Sequence, residues 1–169
     1  MLEVIGFSVQ EVEHHFAQTV SEDDVSTLVE VINKADFEEF IKLIDRFDLN
    51  QVYDHEEFPE PQLLSKFLLF RFLGFISVQG EEYFPSGFPN AAEFIKAVLE
   101  RKPDLTFYID NCYSFADFIK DRRELLIEEI ADLYTHSGKD KGCIPNDILL
   151  QRYEMELSQI ELIANYLSL

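Results

Sequence analysis

Polar and apolar residues alternate along most of this chain with the period of a helix. Val25, Leu28, Val29 and Ile32 recur at spacings of 3, 4 and 7, the stripe an amphipathic helix presents to a core. Phe37, Phe40, Ile41, Ile44 and Phe47 repeat the pattern, with Glu38, Glu39, Lys42, Asp45 and Arg46 on the wet side. Phe94, Ile95, Val98 and Leu99 mark a further helix. Phe115, Phe118, Ile119, Leu125, Leu126, Ile130 and Leu133 mark a long one, ending near His136. After Pro145, residues Leu149, Tyr153, Leu157, Ile160, Ala164 and Leu167 follow near-heptad spacing almost to the end. Near the start, Val9, Val12 and Phe16 share one face. Start signals agree with these patterns: Ser8-x-x-Glu11, Ser21-x-x-Asp24, Asp36-x-x-Glu39, Asn90-x-x-Glu93 and Ser114-x-x-Asp117 are capping-type openings.

One stretch breaks the one-faced rule. In residues 63–76, LLSKFLLFRFLGFI, ten of fourteen positions are Leu, Phe or Ile, which leaves no polar face. A helix apolar all round is either buried or spans a membrane. A span needs about 20 apolar residues, and this run is shorter and carries Lys66 and Arg71. It is expected to be a buried central helix, with Pro61 as an early helix residue. The pattern predicts an all-α fold: one globular domain over residues 1–169, of about seven or eight helices packed around helix 63–76. Residues 104–113 are ambiguous. Leu-Thr-Phe-Tyr-Ile could be a strand, but no second convincing strand would pair with it, so a short helix is expected there.

Composition supports a single packed domain. The 169 residues include 47% hydrophobic residues, sixteen Phe and no Trp, so the core should be built from Phe and Leu. Cys112 and Cys143 are too few and too far apart for a secreted disulfide scaffold. The first residues show no basic, apolar or cleavage region of a leader. A cytoplasmic protein with reduced thiols is expected, and Cys112, lacking a cationic neighbour in sequence, reads as a core thiol.

Charge changes the picture most. The net charge is −19, with 16 acids and 3 bases in residues 1–60 against 17 acids and 11 bases in the rest. Such a field repels nucleic acid and anionic membranes and attracts basic surfaces. A negative charge keeps a Phe-rich protein in solution, but that need does not place most of it in the first third. Arg122 and Arg123 should pair along their own helix with Glu residues. The N-terminal acids gather in Glu22, Asp23 and Asp24, in Glu38 and Glu39, and in residues 53–60. That last string holds Tyr53, Asp54, His55, Glu56, Glu57, Phe58 and Glu60. Aromatic anchors ringed by polar groups resemble interface hot spots, so Tyr53 and Phe58 are candidates for such anchors or for core residues. A second acidic-aromatic string occupies residues 81–89.

Catalytic patterns are missing. There is no Gly-rich phosphate loop, Gly-x-Ser-x-Gly, Cys-x-x-Cys or EF-hand spacing. Glu11-x-x-His14 matches half of a di-iron motif, whose second copy is lacking. His14 and His15 would point about 100° apart on a helix and cannot easily share a metal. His55 and His136 lie in or beside polar turns and read as exposed. No metal, cofactor or catalytic residue is expected, and the chain is not expected to be an enzyme.

A small, acidic, all-helical chain with Glu22-Asp23-Asp24, Glu38-Glu39 and the acidic-aromatic string 53–60 resembles bacterial immunity proteins. It is most similar in character to those that neutralise toxin domains of contact-dependent growth inhibition systems. The resemblance implies a cognate basic toxin, most often a nuclease and first of all a ribonuclease similar to the EndoU fold. It implies an antitoxin that is a monomer when free and covers the toxin's cleft with carboxylates, without touching nucleic acid or membrane. The alternatives are a phage-encoded nucleic-acid mimic (anti-CRISPR or antirestriction protein), with acids spaced in rows, and a metal-dependent helical enzyme. The partner-binding residues expected are Glu22, Asp23, Asp24, Glu38, Glu39, Tyr53, Asp54, Glu56, Glu57, Phe58 and Glu60.

Overall fold

The computed structural model describes residues 21–56, 58, 60–73, 88–135 and 145–169. These form six helices: α1 (Glu22–Asn33), α2 (Phe37–Ile44), α3 (Leu64–Phe72), α4 (Ala91–Glu100), α5 (Phe115–Thr135) and α6 (Asn146–Leu167). A two-residue antiparallel ladder, β1 (Val52–Tyr53) with β2 (Gln62–Leu63), lies between α2 and α3, pairing Val52 with Leu63 and Tyr53 with Gln62. The fold is mostly helical, as the hydrophobic rhythm predicts, with a small sheet that it does not. The helix expected after Ser8, the half-motif Glu11-x-x-His14, His15, the string 81–87, His136 and Cys143 lie outside the described residues.

Three of the expected caps are made. Ser21 Oγ accepts from Asp24 N at 3.2 Å while Asp24 Oδ2 accepts from Ser21 N at 3.1 Å, a complete capping box on α1. Asp36 Oδ1 accepts from Glu39 N at 3.1 Å, and Ser114 Oγ from Asp117 N at 3.0 Å. Each satisfies an amide that helix geometry leaves open. Asn90 departs from expectation. Its φ of 56° is left-handed and its side chain makes no capping bond, because an N-cap side chain reaches its amide from extended backbone. α4 holds instead through its buried face, which includes Phe94, Ile95 and Val98.

α3 starts differently from the expected helix. Pro61 precedes β2 and is not a helix residue. The ladder feeds straight into the helix, and its first amides are satisfied by incoming backbone: Leu64 N donates to Gln51 O at 3.1 Å and Ser65 N to Leu49 O at 3.0 Å. Leu64, Ser65, Phe67, Leu68, Leu69, Arg71 and Phe72 are all buried. The side chains of α3 reach several elements. Phe72 meets Phe40 of α2 at 5.7 Å and Phe94 of α4 at 4.9 Å between ring centroids. Phe70 lies 5.7 Å from Phe115 and 5.2 Å from Phe118 on α5. Arg71, only 3% exposed, donates from Nη2 to Asn33 Oδ1 of α1 at 3.1 Å. Phe88 and Phe94 close the ring cluster at 5.0 Å. Such tilted and edge-on pairs add to simple area burial. The core is thus largely Phe and Leu with Ile and Val, one cluster to which every helix contributes.

α4 packs against α2, α3 and α6, and α6 also packs against α5. Arg123 Nε meets Glu161 Oε1 at 2.8 Å, and Tyr134 OH donates to Glu154 Oε1 at 2.7 Å, so α5 and α6 run antiparallel. Arg122 holds Glu156 with two bonds, Nε–Oε1 at 2.7 Å and Nη2–Oε2 at 2.8 Å. The pairs of Arg122 and Arg123 therefore cross the seam rather than follow one helix. Both arginines flank the buried stripe of Phe115, Ile119, Leu126 and Leu133, where the nearest carboxylates are those of the facing helix. Leu125, expected inside, is exposed.

The short helix expected over residues 104–113 is not formed. The chain leaves α4 through Lys102 at φ 50° and doubles back. Ile109 N donates to Tyr113 O at 2.8 Å and Phe115 N to Phe107 O at 3.0 Å, around an isolated antiparallel bridge of Tyr108 with Ser114. Asp110 Oδ1 accepts from Cys112 N at 3.1 Å and Tyr113 N at 2.9 Å. An Asp side chain bonding its own backbone two residues on favours a turn over a helix. Cys112 sits in that turn and is exposed, not a core thiol.

Candidate functional site: an acidic mouth beside a buried histidine

The acidic string from residue 52 follows a period of two at first. Val52, Asp54, Glu56 and Glu60 are exposed, while Tyr53, His55 and Phe58 are buried. The ladder sets its start at Val52 and Tyr53, because successive residues of a strand point to opposite sides. Tyr53, 7% exposed, packs against Phe47 with centroids 6.0 Å apart, and its hydroxyl accepts from Asp48 N at 3.3 Å. Burial raises the ionisation of that phenol above its usual range. Phe58, also 7% exposed, lies 4.2 Å from Phe67 of α3. Both expected anchors thus face the core and serve the fold, and the acids around them face out.

His55 departs furthest from expectation. It is 8% exposed, not solvated, and its ring lies 5.5 Å from that of Phe58. Its Nε2 is 3.0 Å from Ser26 Oγ on α1. This bond ties the acidic hairpin to the first turns of α1 and brings two distant acidic segments together. Glu22 of α1 and Asp54 and Glu56 of the hairpin line one open depression of about 420 Å³ with Val25, Tyr53 and His55. Glu22, Asp54 and Glu56 make no ion pair among the described residues, nor do the exposed Asp23 and Glu60. Three carboxylates at one mouth form a concentrated negative site, whose field is strongest where low-dielectric walls focus it.

The other expected acids have other duties. Asp24 is held below the usual carboxylate range by the Ser21 backbone and side-chain bonds, with help from Arg46. Its Oδ1 accepts from Arg46 Nη2 at 2.6 Å. Glu39 pairs with Lys42 at 3.0 Å. Glu38 and Glu39 open α2, at the far end of α1 from Glu22; a helix of 12 residues separates its ends by roughly 18 Å. The mouth therefore gathers Glu22, Asp54 and Glu56, and leaves Glu38 and Glu39 aside. Glu57 lies outside the described residues. Sequence reasoning missed Ser26 and His55, because the strand that turns His55 inward is only two residues long.

Among the described residues no group of three or more His, Cys, Asp or Glu could hold a metal ion. No described helix is long and apolar enough to cross a membrane. Among the described residues the carboxylates with clear shifts, Asp24, Glu30, Asp45 and Asp104, are all lowered, by hydrogen bonds to Ser21, Lys34, Arg101 and Thr106 respectively. General acid work at neutral pH needs the opposite shift. Compared with protein-family models, with curated proteins and with solved structures, the chain matches none.

Proposed function

We propose that this chain is an immunity protein, not an enzyme, that binds a cognate basic toxin nuclease and covers its cleft with the acidic mouth. The observation that carries this reading is the convergence of Glu22, Asp54 and Glu56 on one open depression, with no ion pair to neutralise them among the described residues. Acids that serve only solubility gain nothing from meeting at one concavity. A basic nuclease cleft is built to receive phosphates, and carboxylates can take their place. The partner is most readily a ribonuclease domain, the compartment the cytoplasm and the free protein a monomer. In this reading the whole chain is one mostly helical domain of about seven or eight helices gathered around the apolar helix expected over residues 63–76. The aromatic rings of Tyr53 and Phe58 support the mouth from beneath, and its outward acids make the contact.

The test is association with a purified basic ribonuclease toxin domain, followed by stopped flow at increasing salt. Electrostatic steering should raise the association rate above the roughly 10⁵–10⁶ M⁻¹s⁻¹ of unsteered pairs, and salt beyond about 0.15 M should lower it. Glu22→Lys with Glu56→Lys should slow association about tenfold, within the range mutants of one interface span. Glu124→Lys with Glu128→Lys, the same charge change on α5, should do much less. Salt-independent association, or equal effects of the two reversals, would reduce the acidity to a solubility device.

A further inference from the structure

One side of α6 continues beyond its cover. Ile148, Arg152, Met155, Gln159, Leu162 and Tyr166 follow one another at spacings of 4, 3, 4, 3 and 4, the row a helix presents when another helix lies along it. Within this row Gln159 is buried, and Tyr166 OH donates to Pro103 O, just past the end of α4, at 2.8 Å. α4 packs against α6, but its 10 residues span only about 15 Å, against roughly 33 Å for the 22 of α6. The buried residues of α6, Gln159, Ile160, Ile163 and Ala164, accordingly all lie in its C-terminal half. Upstream in the row, Ile148 is 48% and Met155 39% exposed. The bonds of Arg122 to Glu156 bring α5 and α6 together at this level. One turn beyond Arg122 stands Leu125, 44% exposed, and one turn before Glu156 stands Arg152.

The charge around this apolar face selects what fits it. Residues 124–135 and 145–155 hold six acids, Glu124, Glu128, Glu129, Asp132, Asp147 and Glu154, against one base, Arg152. Glu124, Glu128 and Asp147 are exposed and make no ion pair among the described residues. A second copy of the chain would bring the same acids and a net charge of −19, and like charges oppose its approach. Anionic lipid is repelled for the same reason. A helix whose apolar stripe is bordered by Lys or Arg satisfies both the face and its rim, and the flexible thioether of Met155 adapts to such a stripe.

We propose that the uncovered half of the α6 row, Ile148 and Met155 together with Leu125 of α5, is a docking face for a basic amphipathic helix of a partner protein. That helix extends the cover α4 begins, with its apolar stripe on these three side chains and its cations among the surrounding carboxylates. The face is separate from the acidic mouth, which α1 and the hairpin carry, and does not depend on the reading of that mouth.

The test uses the full chain isotopically labelled at its Met methyl groups, of which there are two, on Met1 and Met155. The probe is an amidated peptide of about eighteen residues, ~27 Å long as a helix, with Leu on one face and Lys on the other. A second peptide has the same composition in scrambled order. The amphipathic peptide should shift the Met155 methyl signal and bind about tenfold tighter than the scrambled one, since only it presents a stripe. Ile148→Ser with Met155→Ser, which leaves the charge unchanged, should lower its affinity about fivefold through lost apolar contact. Glu22→Lys with Glu56→Lys, at the mouth, should leave the preference between the two peptides in place. The methyl shift needs no substitution and decides the matter even if the double Ser variant fails to fold. Equal binding of the two peptides, no binding of either, or an unmoved Met155 signal overturns the proposal. So does a dimer of the free chain in sedimentation that Ile148→Ser with Met155→Ser converts to monomer, because a second copy then covers the face.

Discussion

Two regions of the described chain solve the same problem in opposite ways. α3 buries seven of its nine residues, whereas α5 and α6, with 21 and 22 residues, bury four each. Around α3 the contacts are ring against ring, and Glu22 of α1 with Asp54 and Glu56 of the hairpin are left to face water. Along the α5–α6 seam the apolar stripe is narrow, and the acids Glu154, Glu156 and Glu161 are engaged by Tyr134, Arg122 and Arg123. Acidity therefore means different things in the two regions. In the seam it is part of the helix pairing; at the mouth it is available for something else.

The sharpest way to break this comparison is in the core. Phe72→Ala should cost about 3–5 kcal/mol, because a fully buried ring leaves a cavity its neighbours cannot fill. Denaturant unfolding measures it, and a loss below about 1 kcal/mol would mean that the rings around α3 do not carry the N-terminal half. Next comes the seam. Arg122→Ala removes two bonds to Glu156, with side-chain exposures of 24% and 17%, and should cost about 1–3 kcal/mol, the range for bonds to charged groups. Its double-mutant cycle with Glu156→Ala should show clear coupling; additive losses would make the seam purely apolar.

The mouth should respond less than either. Replacing Glu22, Asp54 and Glu56 by their amides together should change stability by less than about 1 kcal/mol, as exposed substitutions do. A large loss on thermal melting would show that these acids serve the fold. Smallest is the acid limb. The Asp24 carboxyl is lowered by the Ser21 bonds and then Arg46. A depressed folded value contributes stability above the unfolded carboxylate range, near 3.9, that is lost as pH falls through the folded value. Asp24→Asn should flatten the fall of the urea midpoint below about pH 4, and an unchanged acid limb would remove Asp24 from that dependence.

Helix positions were legible because their signals are local. A capping residue, its partner three residues on and a 3.6-residue stripe all sit within a few turns, and Ser21, Asp36 and Ser114 behave as their sequences imply. Asn90 shows the limit: the motif is present, but the approaching backbone is left-handed. The ladder was hidden because two residues per strand are too few to show a period. That concealment hid the inward direction of Tyr53, which pairs with Gln62, and of His55 just beyond the ladder. The partners of Arg122 and Arg123 were equally hidden, since Glu156 and Glu161 lie more than thirty residues away. Of the mouth, the acids could be named from composition, but their meeting with one another could not.

The alternation along the hairpin has a consequence for how such a surface can diversify. Inward positions 53, 55 and 58 are tied to the core, while outward positions 54, 56 and 60 touch little of it. Under the proposed function, substitutions at the outward set alter which surface is recognised with little effect on folding, and those at the inward set do the reverse. Stability and specificity are interleaved residue by residue, yet nearly separable, so new recognition can be explored one outward side chain at a time while the scaffold stays constant.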